Sequence, residues 1–371
     1  MIVSDVLSVL DAWAPQGQKA DFDRVGLQVG DPSAEVSRVL VALDLTPAVV
    51  LEAEEIGAQL IVTHHPLLFK PVGRVTATDP IGSLVWRLGR AGVSYAAIHT
   101  NLDAAHGGVS FALAEQLGVT GAEILSPLEG VMQKVVVFAP AAAANAIREA
   151  LTASGAGQIA EYDACSFTST GTGRFRPSED ANPALGTAGD LEAVDEVRIE
   201  AVVPTWSTSR TLRAVRKAHP YEEPAIDVYD IKNAATRQGY GAVGVLEDAE
   251  PLPRFLARVR DALGAGALRY VGSDDAMIHR VAVCGGSGLS FLPAAIRGGA
   301  DAFVTSDVTY HRWFEALDHG GETRLALVDA GHYETEAITE TLIADHLRAH
   351  LGGLEVDVTR QRTSPMRTFA G

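Results

Sequence analysis

The sequence predicts an α/β protein in which a two-lobed core of similar α/β halves is interrupted by an inserted ferredoxin-like (βαββαβ) domain. Two observations predict it. An apolar run, a polar turn and a helical stretch recur through RVLVALDL, QLIVTHHP and VSYAAIHTNLD, and again through HRVAVCGGSG, DAFVTSD and TRLALVDAGH. Between the two series the order becomes strand (QKVVVFA), helix (AAANAIREALTAS), two strands, helix (TSRTLRAVRKA) and strand (AIDVYDI), which is βαββαβ. The boundaries expected are 1–129 for the first lobe, 130–233 for the insert and 234–371 for the second lobe.

Taken in order, MIVSDVLSVLDAW is an amphipathic helix, because Asp5 and Asp11 stand where a signal peptide would be basic and then continuously apolar. The three strands that follow each stop at polar residues: THHP, IHTNLD and, in the second series, DAGHYETE. In the insert, TGTGRFRPSEDANPALGTAGD has the Gly, Pro, Ser and Asn content of an exposed loop joining the middle strands. The last helix is expected over HYETEAITETLIADHLRAH.

The chain of 371 residues is long enough for two domains or for one carrying a large insertion, and 47% apolar with 21% charged residues supports a sizeable core. A net charge of -17 excludes broad electrostatic binding to nucleic acid or to an anionic membrane. An anionic ligand would need metal ions or clustered arginines for its counter-charge. Cys165 and Cys284 are far apart and form neither a Cys-x-x-Cys pair nor a disulfide framework, which suits a reducing, cytoplasmic location. No stretch reaches the roughly 18 uninterrupted apolar residues of a membrane span.

The chemistry gathers at the strand ends. His64 and His65 stand where a buried strand gives way to a proline turn, so a bend there lets both imidazoles flank one site; alone, the pair reads equally as polar loop residues. His99 and Asp103 repeat the arrangement at the next strand end, with Asp103 alternatively capping a helix that begins near Ala104. His332 and Glu336 are four apart at a helix start and share one face. Imidazole and carboxylate ligands suit Zn, Mn, Fe, Co or Ni without choosing between them. Open α/β sheets place ligands at the carboxyl ends of their strands, and all three motifs sit there. Three imidazoles and two carboxylates exceed the needs of one four-coordinate ion with an open position, so two divalent ions fit better.

These motifs in this order, VTHHPLLF, His99 with Asp103, CGGSG with TSDVTYH, and GHYETE around an insert, resemble the NIF3-like (DUF34) family over essentially the whole chain. GRFRPSEDANP and HPYEEPAIDVY resemble the PII or CutA-like middle domain of its longer members. The resemblance implies a NIF3-like core, a pair of metals on His64, His65, Asp103, His332 and Glu336, and a homohexameric ring whose sites face an internal cavity. It also places His99 on that site, as a ligand or a proton carrier. Arg24 in FDRVGLQVG departs from the family's usual Asn and leaves that loop's role in substrate selection open.

Weaker signals remain. CGGSG is read first as a tight turn and second as a phosphate cradle, while Asp307 and His311 are either supports of the site or a cap and a surface residue. HPYEEP, with two prolines, is read as a rigid turn before a metal or partner site, and Trp86, Trp206 and Trp313 as packing aromatics. Two functions follow: a metal-dependent hydrolase acting on a nucleotide or related small molecule, as the family's designation as GTP cyclohydrolase 1 type 2 homologs suggests, or a metal storage, delivery or regulatory protein that captures a protein partner through the insert.

Overall fold

The computed structural model describes residues 1–369, which form two compact units: 1–126 with 238 onward, and Pro127–Arg237. In chain order the strands are β1 (Gly26–Val29), β2 (Arg38–Ala42), β3 (Leu60–Thr63), β4 (Ser94–Ala97), β5 (Thr120–Pro127), β6 (Met132–Pro140), β7 (Phe167–Phe175) and β8 (Glu192–Pro204). There follow β9 (Ile226–Ile231), β10 (Gly239–Pro251), β11 (Arg269–Val271), β12 (Met277–Val283), β13 (Ala302–Thr305), β14 (Ala326–Asp329) and β15 (Glu355–Val358).

The first unit holds two sheets with strand orders β1-β4-β3-β2-β15 and β11-β14-β13-β12-β10-β5. Three adjacent strands of each, β2, β3, β4 and β12, β13, β14, run parallel. In each sheet the strand preceding them in sequence joins the last of the three antiparallel, β1 on β4 and β11 on β14. The two halves thus share one winding, antiparallel edge then three parallel strands, as expected of similar α/β lobes.

Both faces of each parallel sheet are covered, which is why their strands are apolar throughout. Val39, Val41, Leu60 and Val62 pack on the Val3–Trp13 helix through Val3, Val6 and Leu10, while Leu40, Ile61 and Tyr95 pack on Val49, Val50 and Leu88 behind. In the second sheet Val281, Val283 and Val304 meet Phe255 and Val259, and Ala282, Phe303 and Leu327 meet Leu292 and Ala295. Side chains can therefore reach a ligand only where the strands stop.

The second unit is a four-stranded antiparallel sheet, β7-β8-β6-β9, with helices Ala144–Ala153 and Thr205–Ala218 connecting its strands in the order βαββαβ. Part of the stretch expected to be loop is strand: Gly171 to Phe175 pair with Glu196 to Glu192, so the true loop starts after Phe175. Glycine content misled there, because the Thr-Gly alternation TGTG fits a ladder whose glycines occupy one face.

Three local expectations also change. The long last helix is broken at Ala337 into His332–Glu336 and Ile338–His350. Asp103 does not cap a helix from Ala104; it ends the one-turn helix Thr100–Asp103, and the next helix is Val109–Gln116. Trp86 is exposed, with the Arg90 guanidinium 4.5 Å above its ring, whereas Trp313 is partly buried against the second sheet's core.

Candidate metal centre

The backbone at each strand end is held before any side chain is placed. His64 and His65 continue past β3 with their N–H groups donating to Ala42 and Leu43 carbonyls at 3.3 and 3.0 Å. The His65 carbonyl accepts from Thr63 Oγ1 at 2.6 Å and from the Tyr95 hydroxyl at 3.0 Å, which fixes the bend that the proline introduces. Ile98 N–H donates to Thr63 O, and Ala330 N–H to Thr305 O, both at 2.9 Å, so the His99 and His332 turns leave neighbouring strands in register.

These turns bring His64, His65, His99, Asp103, His332 and Glu336 together. Three triads have their ligand atoms within 4.8 Å of one another: His65, His332, Glu336; His64, Asp103, Glu336; and His64, His65, His99. Glu336 is common to two of them. Its Oε2 lies 2.8 Å from His65 Nε2 and 3.0 Å from His332 Nε2, while its Oε1 lies 3.8 Å from His64 Nε2. Asp103 Oδ1 is 3.6 Å from the same His64 nitrogen.

Every imidazole is oriented by its other nitrogen. His65 Nδ1 meets Asp44 Oδ1 at 2.7 Å, His332 Nδ1 meets Asp307 Oδ2 at 2.6 Å, His99 Nδ1 meets Asp23 Oδ1 at 2.9 Å, and His64 Nδ1 meets the Ile98 carbonyl at 2.9 Å. Acceptors on Nδ1 place the proton there and turn Nε2 inward as a lone-pair donor, the usual support of a metal-bound histidine. Thr363 holds Asp44 at 2.7 Å, and Thr100 holds Asp23 through N–H and hydroxyl at 3.0 and 2.5 Å.

The fit to cations is visible in one atom: His64 Nε2 is fully buried, faces two carboxylates and has no hydrogen-bond partner among the described residues. Burial pushes the His64 imidazole down to about 4, only partly opposed by Glu336, so it is neutral at physiological pH. Burial, and then the Glu336 charge, raise the Asp103 carboxyl well above its ordinary range. Burial also acts to raise Glu336, but His332, His64 and His65 outweigh it and hold that carboxyl low. At His65 and His332 burial is likewise outweighed, by Asp44 with Glu336 and by Glu336 with Asp307, which lifts them to about 10 and about 9. Buried carboxylates and imidazoles this close are costly unless cations compensate them.

Sequence reasoning missed Asp23, Asp44 and the role of Gly286. Asp44 stood at the end of RVLVALDL, the same station as the other motifs, and that rule would have found it. Asp23 lies outside any periodic segment and gave no signal. Of the secondary candidates, Asp307 supports His332, whereas His311 is exposed against Tyr310 and joins nothing in the cluster. CGGSG forms a tight turn: Gly286 N–H donates to Thr335 Oγ1 at 3.0 Å and Gly288 N–H to Thr305 Oγ1 at 2.9 Å, so both are already engaged. In HPYEEP, His219 spends Nε2 on the Phe138 carbonyl at 2.9 Å and Nδ1 on Tyr221 N–H at 3.1 Å, leaving no nitrogen for a metal. Arg24 is exposed beside Asp23, whose Oδ1 accepts its N–H at 2.7 Å.

Gly286 has φ +58, and a Cβ there would collide with Glu336 Oε1 and come within 3.2 Å of His332 Nε2. Gly286→Ala is therefore expected to cost about 1–2 kcal/mol in backbone strain and to displace Glu336. Thermal unfolding and metal content would check this, and a variant that kept both at wild-type level would refute the close approach.

Comparison with known proteins agrees with this architecture. The family model described as Duf34/NIF3 (NGG1p interacting factor 3) matches residues 1–365. A Mycobacterium bovis protein called GTP cyclohydrolase 1 type 2 homolog is 40% identical over 368 residues, covering 98% of this chain and 96% of that one. A Bacillus subtilis protein of the same name is 36% identical over 336 residues, covering 90% and 89%. The crystal structure of a Bacillus cereus protein related to NIF3 superposes with a TM-score of 0.84 at 34% identity, covering 100% and 99% of the two chains, and Staphylococcus aureus SA1388 with 0.77 at 30%, also covering 100% and 99%. The chain belongs to the DUF34/NIF3 family.

Proposed function

We propose that the chain is a metal-dependent hydrolase holding two divalent ions, one by His65, His332 and Glu336 and the other by His64, Asp103 and Glu336. The observation that supports this best is the Glu336 carboxylate, which serves both ligand triads from one position. Zn, Mn, Fe, Co and Ni all suit these donors. Such ions would lower the pKa of a bound water and polarise a substrate oxygen.

His99 is the proton carrier in this reading. Asp23, fully buried, fixes its Nδ1–H and leaves Nε2 as the free nitrogen toward the cluster. Burial acts to raise the Asp23 carboxyl, but His99 and Thr100 outweigh it and hold it well below the usual carboxylate range, so it stays an acceptor. The substrate class is a nucleotide or related cyclic small molecule, supported by the name carried by the relatives. A homohexamer in the cytoplasm completes the reading, supported by the family resemblance and the two free cysteines; among the described residues no helix is long and apolar enough to cross a membrane.

The test is turnover of GTP and of a panel of nucleotides, phosphoesters and cyclic amides by the metal-loaded chain. Activity is expected on at least one member. His99→Gln should lower kcat by about 10²–10⁴-fold while metal content is retained. No turnover across the panel, with both ions bound, would remove the hydrolase and leave storage or delivery of metal.

A further inference from the structure

The segment 359–363 leaves β15 at the same sheet edge as the metal ligands. β15 runs parallel to β2, with Val358 beside Val41, and Thr359 N–H donates to the Val41 carbonyl at 2.8 Å. Both strands therefore stop on one side, and the segment emerges beside the end of β2 that carries Asp44. Glu52, on the helix Pro47–Ile56, grips it there. That carboxylate is buried and accepts from the Thr359 hydroxyl at 2.6 Å, from Arg360 N–H at 3.1 Å and from Arg360 Nε at 2.8 Å. A buried carboxylate needs such partners, and the segment supplies all three.

From this anchor two side chains reach the supports of the metal centre. Arg362 pairs with Glu334 at 2.6 Å and lies 4.2 Å over the Tyr333 ring, on the helix that carries His332 and Glu336. Its side chain is half exposed, so that ion pair contributes little. Thr363 is buried, and its hydroxyl donates to Asp44 Oδ2 at 2.7 Å while Asp44 Oδ1 holds His65 Nδ1 at 2.7 Å. Both oxygens of one carboxylate are thus spent, one on orienting the imidazole and one on being held. The Asp44 side chain is 37% exposed, so without the Thr363 hydroxyl it can turn to water and release His65. The other imidazoles are fixed differently: His64 by the Ile98 carbonyl, His99 by Asp23 and His332 by Asp307.

We propose that Thr363 is a positioning residue for one ion of the pair. Through Asp44 it keeps His65 Nε2 aimed at His332 and Glu336, so the segment 359–363 governs affinity at the His65, His332, Glu336 triad and not at the His64, Asp103, Glu336 triad. This assignment rests on the two-ion reading proposed above.

Zn is the probe, titrated calorimetrically into the full metal-free chain, with metal content read by mass spectrometry. Wild type should bind two ions. Thr363→Val, which keeps the shape and removes the hydroxyl, should weaken one of them by about ten-fold and leave the other unchanged. Thr363→Ser should restore the wild-type value. Glu52→Gln, which alters the anchor and no residue of the cluster, should weaken the same ion, with thermal unfolding showing that the chain is folded. In a His332→Ala background, where that triad is already broken, Thr363→Val should have no further effect on the remaining ion. A wild type that binds fewer than two ions would remove the two-ion reading and this assignment with it. With two ions bound to wild type, unchanged affinity in Thr363→Val, equal weakening of both ions, failure of serine to restore binding, or a further loss in the His332→Ala background would each overturn the role of Thr363 alone.

Discussion

Glu336→Ala is expected to abolish binding of both ions, whereas His332→Ala is expected to cost one. The asymmetry follows from geometry. Glu336 Oε2 lies within 3.0 Å of His65 and His332 nitrogens, and its Oε1 turns to the His64 and Asp103 side, so one carboxylate completes both triads. His332 belongs to one triad, and its loss leaves His64, Asp103 and Glu336 in place. Metal content by mass spectrometry on protein loaded in excess Zn or Mn reads the outcome directly. Breaking a buried ion pair costs about 3–5 kcal/mol, so thermal unfolding must show that the Glu336→Ala chain is folded; Glu336→Gln, which keeps the shape, serves as the second variant. Equal metal loss in His332→Ala and Glu336→Ala would sink the two-triad arrangement, and retention of both ions in either Glu336 variant would sink the centre.

The parts of this centre legible in the sequence were those with a period or a fixed station. Strands β3, β4 and β14 announce themselves as apolar runs because both faces of their sheets are covered, and the residues after each run are the ligand candidates. The pair His332 and Glu336 was legible from helical spacing alone, and the helix break at Ala337 does not disturb it. The supporting carboxylates were less so. Asp307 precedes its histidine by 25 residues and Asp23 by 76, and such pairings are created only by sheet closure. The glycines of TGTG were misread for a related reason: Gly171 and Gly173 leave one face of their strand without the apolar side chains by which strands are recognised.

The second large effect is on pH. In the metal-free chain His65 and His332, raised to about 10 and about 9, are cations paired with Glu336 at neutral pH, and burial with the Glu336 charge makes the Asp103 carboxyl harder to ionise. Both imidazoles must release a proton to become ligands, while His64, lowered to about 4, has none to lose at neutral pH. Apparent metal affinity should thus rise about ten-fold per pH unit for each proton displaced, and level off only above about pH 10 where His65 has titrated. Calorimetry in buffers of differing ionisation enthalpy would count the protons released. The stability of the metal-free chain should follow the same groups. Raised imidazoles stabilise the fold below their ordinary value of 6.5 and lose that contribution as pH climbs through about 9 to 10, and the lowered His64 stabilises above 6.5 and is lost as pH falls toward about 4. The metal-free thermal midpoint should therefore peak near pH 6.5 and fall on both sides, steadily up to about pH 9 to 10 on the alkaline side, and bound ions should flatten the alkaline fall because the imidazoles are then already neutral. Metal affinity independent of pH between about 6 and 9, with no proton released on binding, would show that these histidines are not the ligands.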